Sequence, residues 1–103
     1  MEKVNILGVE YEVKVKKMPR DVYGECDTDK KVIKINSRRD GKAESLVHEV
    51  IHGALYEAGL VHILNNTEGL EEAIVRAAEH GLKSAELIPE FPEEPKGGEE
   101  CLQ

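Results

Sequence analysis

The sequence predicts an α+β domain in which a small, mainly antiparallel sheet of three or four strands packs on two helices. Apolar and polar residues alternate over 9–15, which is typical of a strand with one buried face. The apolar residues of 46–58 and of 70–82 recur instead with the period of a helix. The 103 residues suit one domain, placed at 1–88, followed by an acidic tail at 89–103 that is rich in Pro and Gly and predicted to be disordered.

The first third of the chain is predicted to supply the strands. Two strands are expected at 4–7 and 9–15, separated at Gly8, and Pro19 marks the connection that follows. Two more are expected at 23–26 and 31–36, because residues 27–30 between them have the composition of a hairpin turn. A late strand beside a helix can present its edge to an extended peptide, but the sequence leaves open which edge is free.

A first long helix is predicted at about 40–58. Asn36, Ser37 and Asp40 are its candidate N-terminal caps, and Gly59 is its expected stop. Gly53 lies inside this helix, where glycine costs about 1 kcal/mol relative to alanine. We therefore expect the helix to pack closely against a neighbouring element at that position.

A second helix is predicted over 70–82, with its cap at 65–67. Its inward-facing stripe is expected to comprise Ile74, Val75, Ala78 and Leu82.

Composition excludes several classes of partner and location. The net charge of −7 argues against a nucleic-acid partner held by phosphate neutralisation. Neither a membrane-spanning apolar run nor the hydrophobic core of a signal peptide is present, so a cytoplasmic protein is expected. Cys26 and Cys101 are far apart and are predicted to be free thiols. The oligomeric state is not predicted.

Residues 46–55 carry the strongest chemical signal, because His48 and His52 are four residues apart with Glu49 between them. On a helix this spacing puts both imidazoles on one face, where they can bind one metal ion. Glu49 can then take a proton from a zinc-bound water, as in zinc-assisted hydrolysis. The alternative is a pair of hydrogen-bonded or solvent-facing histidines without a metal.

The candidate third ligand comes from the second helix. Glu71 stands one turn before the apolar stripe and is the preferred ligand, whereas Glu72 shares a side with Arg76 and Glu79 and is expected to be exposed. Alternatively, both glutamates complement the positive N-terminus of the helix and neither binds a metal.

The residues at 46–52, followed by Glu71 and the four residues after it, resemble the zincin-like metallopeptidases of the gluzincin type. The likeness is strongest to short phage- and mobile-element-encoded proteins related to the ImmA/IrrE peptidases, and it covers roughly residues 23–88. It implies a minimal zincin-like domain that binds Zn²⁺ through His48, His52 and Glu71, with Glu49 as general base. In several such families an Asp four residues after the ligand Glu supports a ligand histidine. Here that position is Val75 after Glu71 and Arg76 after Glu72.

The resemblance implies zinc-dependent hydrolysis of a protein or peptide substrate. One alternative is a non-catalytic protein of phage origin in which zinc stabilises the fold and the surface binds a partner. Another is a zinc hydrolase acting on RNA, which the acidic charge disfavours.

Overall fold

A computed structural model describes residues 3–91 and confirms the α+β class. It has four strands and three helices. The elements are β1 (Lys3–Ile6), β2 (Val9–Lys16), β3 (Gly24–Asp27), β4 (Val32–Asn36), α1 (Lys42–Glu57), α2 (Val61–Leu64) and α3 (Leu70–Ser84). The four-residue helix α2 was not predicted.

The strands form one sheet in the order β1-β2-β4-β3. The β1–β2 and β3–β4 pairs are antiparallel hairpins, and the turn of the second is stabilised by Asp27, whose Oδ1 accepts from the backbone N–H groups of Asp29 (3.0 Å) and Lys30 (2.9 Å). The central β2–β4 pair is parallel. This order places β1 and β3 at the two edges of the sheet.

One face of the sheet forms the core beneath α1. Tyr11, Ile33 and Ile35 are fully buried there, while Glu10 and Glu12 of β2 are exposed on the opposite face. The alternation predicted for 9–15 is therefore confirmed, and burial of each aliphatic side chain contributes about 1.5–3 kcal/mol. The core cluster consists of Ile6, Tyr11, Val13, Ile33, Ile35 and Leu46.

Gly53 brings α1 close to the sheet, as the sequence predicted. It is buried, and a Cβ atom at this position would lie 3.0 Å from Ile6 Cδ1 and 3.5 Å from Cys26 Sγ. A larger side chain would push the helix away from β1 and β3.

We expect Gly53→Leu to lower the free energy of unfolding by about 1–3 kcal/mol, because the added atoms overpack the interface between α1 and the sheet. Gly81→Leu is the matched control: Gly81 is also helical, and a Cβ there meets nothing within 4 Å. The control should gain up to about 1 kcal/mol from helix propensity. Urea denaturation measures both, and equal stability changes in the two variants would contradict this packing.

Both long helices begin at a glycine, and the predicted caps are wrong. Gly41 (φ 75°) precedes α1 and Gly69 (φ 80°) precedes α3, and neither helix has a side-chain cap. Asn36 is instead fully buried, where its Oδ1 accepts from the backbone N–H groups of Met18 and Arg38. Gly59 is confirmed as the stop of α1, with φ 78°.

The apolar stripe predicted for the second helix is only partly correct. Val75 is fully buried, whereas Ile74 is 37% exposed. The inward face of α3 is therefore rotated away from Ile74, which changes the carboxylates that it presents to α1.

No helix within residues 3–91 is both long enough and apolar enough to cross a membrane. Phe91, which the sequence analysis assigned to the tail, packs against the core cluster. The remainder of the predicted tail, 92–103, lies outside the described residues together with Cys101. Cys26 is a half-buried free thiol.

Candidate metal centre

Helices α1 and α3 bring two imidazoles and three carboxylates together. His48 and His52 lie one turn apart on α1, with ring centroids separated by 4.9 Å, and their side chains are 22% and 21% exposed. Both rings face α3. The helical spacing predicted for this pair is what the structure has.

The Nε2 atoms of both rings converge on one carboxylate, that of Glu72. His48 Nε2 lies 3.2 Å from Glu72 Oε2, and His52 Nε2 lies 3.1 Å from Glu72 Oε1. One ligand atom from each of these three residues falls within 4.8 Å of the others. Ligand atoms of a tetrahedral zinc site are about 3.3 Å apart, given zinc–nitrogen distances of about 2.0–2.1 Å. The two distances from Nε2 to the Glu72 carboxylate are close to this value, and the 4.8 Å limit on the remaining separation is compatible with a single ion.

The Nδ1 atoms of the same rings contact two further carboxylates of α3. His48 Nδ1 lies 2.9 Å from Glu79 Oε1, and His52 Nδ1 lies 2.7 Å from Glu71 Oε2. A carboxylate that accepts the Nδ1–H of a histidine fixes the ring orientation and leaves the Nε2 lone pair for a metal. Glu71 and Glu79 are placed to do this.

The hydrogen-bonding capacity of the two rings is compatible with a bound cation. Each ring faces carboxylate oxygen with both nitrogens. A neutral imidazole has one N–H donor and one lone pair, so a ring that donates from Nδ1 keeps its Nε2 lone pair for a metal. With each Nδ1–H donated to its carboxylate, His48, His52 and Glu72 would be the residues that hold a divalent cation. The donor set thus fits Zn²⁺.

Arg76 contacts the same carboxylate, that of Glu72, as the two histidines. Its Nε donates to Glu72 Oε2 over 3.2 Å, one helical turn away. Partial burial acts to raise the pKa of Glu72, but the Arg76 hydrogen bond and the two imidazoles outweigh it and lower the pKa. Glu72 is therefore held as a carboxylate, the form that binds a metal.

Glu49 is a buried carboxylate beside this cluster. It is 7% exposed, and burial raises its pKa against the opposing effect of His48 and His52. Within residues 3–91 its carboxylate makes no hydrogen bond. A buried polar group without a protein partner calls for a water, an ion or a catalytic role.

A cleft of about 550 Å³ opens between residues 21–24 and the two long helices. His48, Glu49 and Glu72 line it on the helical side, and Tyr23 and Gly24 line it at the start of β3. A Cβ on Gly24 would lie 3.6 Å from Glu49 Cγ and only 2.6 Å from the backbone oxygen of Lys34. The absence of a side chain at Gly24 therefore keeps this edge strand close to Glu49.

The structure differs from the sequence analysis in how it uses the carboxylates of α3. Glu72 is the most exposed of these carboxylates, with a side chain that is 43% exposed, yet it groups with the two histidines, while Glu71 contacts only Nδ1 of His52. Glu71 and Glu72 lie four and three residues before the buried Val75, so each is about one helical turn away from it. Both side chains therefore face α1. Glu79 was missed, although it lies seven residues and therefore two turns after Glu72.

Comparison with known proteins gives no family for this chain. The zincin-like resemblance of residues 46–52 therefore stays a prediction. No protein-family model, no curated protein and no solved structure matches the sequence.

Proposed function

We propose that the chain is a zinc-dependent peptide-bond hydrolase in which His48, His52 and Glu72 hold the metal. The observation that carries this proposal is the convergence of two Nε2 atoms on Glu72, at 3.2 and 3.1 Å, beside the buried carboxylate of Glu49. Two imidazoles and one carboxylate leave a fourth position open, as a catalytic zinc site requires.

Glu71 and Glu79 take a supporting role in this proposal. The sequence favours Glu71 as third ligand, but the Glu71 carboxylate lies on the Nδ1 side of His52, away from the point where the Nε2 atoms meet. Glu71 thus positions His52, and Glu79 positions His48. With Glu72 as ligand, the position four residues later is Arg76, so Glu79 takes the place of a supporting carboxylate there.

Glu49 moves the protons of the reaction. Zinc, when bound, supplies Lewis-acid chemistry, which lowers the pKa of water to about 7 and polarises a carbonyl group. Glu49 accepts the proton of the attacking water and donates it to the leaving amine of the substrate. Its carboxylate borders the cleft and has no hydrogen-bonding partner within residues 3–91, so it is available for this transfer.

The edge strand β3 provides a way to bind an extended peptide. Asn36 N–H donates to Tyr23 O over 2.9 Å, so the backbone groups of Tyr23 face β4. In an antiparallel pair, successive residues face the partner strand and the open side in turn. The backbone groups of Gly24 and Cys26 therefore point away from β4, toward the free edge. A peptide that adds to this edge lies along the cleft beside Glu49. This arrangement supports a peptide rather than RNA as substrate, as does the charge of −7.

The two assigned roles on α3 predict different zinc affinities. Glu72→Gln removes a ligand and should weaken zinc binding by more than about 100-fold, whereas loss of an orienting carboxylate typically costs 10–100-fold. We therefore expect Glu71→Gln and Glu79→Gln to weaken binding less than Glu72→Gln. Competition with a chromophoric chelator measures all three. A larger loss of zinc affinity in Glu71→Gln than in Glu72→Gln would show that Glu71 is the ligand and Glu72 the supporting carboxylate.

The function itself is tested by incubating the zinc-loaded chain with a library of unstructured peptides and detecting products by mass spectrometry. We expect cleavage that stops on chelation and returns with zinc. A chain that binds one zinc but cleaves no peptide, in the library or in a cytoplasmic extract, would favour the non-catalytic, partner-binding alternative.

A further inference from the structure

We propose that a second pocket, beside the cleft, recognises an acidic side chain of the peptide substrate. This arginine pocket has a volume of about 490 Å³, and its cationic residues are Arg20, Arg38, Arg39 and Lys83. The inference rests on the proposed peptidase function and adds the class of substrate that the site selects.

The arginine pocket adjoins the cleft at Tyr23, which lines both. Arg39 stacks on this tyrosine, with its guanidinium carbon 3.8 Å from the ring centroid. Of the four arginines in the chain, three line the pocket and the fourth, Arg76, lines the cleft. The chain thus concentrates its guanidinium groups around this end of the candidate site.

The guanidinium groups of Arg38 and Arg39 are held by backbone oxygens but retain charge and donors. Arg38 donates to the backbone oxygen of Met18 over 3.3 Å, and Arg39 donates to that of Arg20. Among residues 3–91, no carboxylate lies within 4.0 Å of a nitrogen of Arg20, Arg38 or Arg39. Each guanidinium has five N–H donors, so most stay available for a ligand.

The local charge of the pocket is opposite in sign to that of the chain. The pocket has four cationic residues and two acidic ones, Asp40 and Glu44. Among these six residues, the only ion pair is the 3.8 Å contact between Lys83 and Glu44. The net charge of the whole chain is −7. Gly41 at the start of α1 also lines the pocket, and a helix N-terminus adds positive partial charge.

A carboxylate on a peptide fits these features better than a polyanion does. Arginine forks bind carboxylate and phosphate alike, but an extended nucleic acid would meet the acidic surroundings of a single small basic pocket. Tyr23 immediately precedes β3, so a peptide paired with this strand passes the mouth of the pocket. An Asp or Glu side chain at that point of the peptide can enter it.

The test is a binding measurement that does not require cleavage. The zinc-loaded Glu49→Gln chain is titrated into two fluorescent eight-residue peptide libraries, one with a single fixed Glu and one with Gln in its place, all other positions being uncharged. We expect about tenfold tighter binding of the Glu library, measured by fluorescence anisotropy. Adding Arg38→Gln and Arg39→Gln should remove this preference, and adding Lys14→Gln, at an exposed site on β2, should leave it unchanged.

Circular dichroism checks the fold of the double arginine variant. If that variant does not fold, Lys83→Met replaces it, since within residues 3–91 the Lys83 ammonium has only its 3.8 Å contact with Glu44 to lose. Equal binding of the two libraries, a preference that survives the arginine substitutions, or tighter binding of an oligonucleotide than of the Glu library would overturn the proposal. A Glu preference in a chain that cleaves nothing would uphold the pocket and refute only the peptidase.

Discussion

Replacing Glu49 by glutamine is expected to reduce the rate of peptide hydrolysis by about 10²–10⁴-fold, the usual contribution of a general base. Glutamine has nearly the same shape as glutamate but cannot accept the proton of the attacking water. Glu49 is 7% exposed, and burial raises its pKa, so a neutral amide also removes a desolvation cost. Zinc content and the free energy of unfolding should therefore be retained.

The measurement is the rate of cleavage of one library-derived peptide, with zinc content determined on the same samples. Glu12→Gln, on the exposed face of the sheet, is the matched control and should cleave at the parental rate. A Glu49→Gln chain that keeps its zinc and still cleaves at the rate of the control would remove Glu49 from the mechanism.

Removing the metal is expected to destabilise the chain and to release α3 first. Val75 is the one buried residue of this helix, and Glu71, Glu72 and Glu79 contact the histidines of α1 from the same side. An ion that binds only the folded chain stabilises it by about 3–4 kcal/mol at concentrations of 100–1,000 times its Kd. Without the ion, three carboxylates and two imidazoles must be accommodated between the same helices.

Urea denaturation with and without a chelator measures the loss of stability, and hydrogen exchange locates it. We expect faster exchange in 70–84 than in the strands once zinc is removed. His52→Ala should behave like the chelated parent, and His62→Ala, at an exposed position of α2, should behave like the zinc-loaded one. Unchanged stability and unchanged exchange in α3 after chelation would show that no structural ion is held there.

The strands and the first helix could be predicted because local sequence determines them. Alternation around Tyr11 marks the buried face of β2, and the four-residue spacing of His48 and His52 marks one face of α1. The parallel pairing of β2 with β4 could not be predicted from local sequence. It arises because the connection after Lys16 places β3 at the outer edge of the sheet, and β4 then returns to lie between β3 and β2. That pairing leaves β3, rather than β4, at the edge beside α1.

The carboxylates of α3 could be predicted as candidates but not in their roles. Val75 fixes the buried side of the helix, yet Glu71 and Glu72 are both one turn away from it, and a small rotation decides which of them meets the Nε2 atoms. The arginine pocket could not be predicted from the sequence for a different reason. Arg20, Arg38 and Lys83 come from three separate segments, and only the fold brings them together.

X-ray diffraction at the zinc absorption edge, from crystals grown with zinc, tests the central claim most directly. The account predicts one strong anomalous peak about 2.0–2.2 Å from His48 Nε2, His52 Nε2 and an oxygen of Glu72, with Glu71 and Glu79 on the Nδ1 side of the rings. A peak bound elsewhere, or rings whose Nε2 atoms point away from each other with no peak between them, would contradict it.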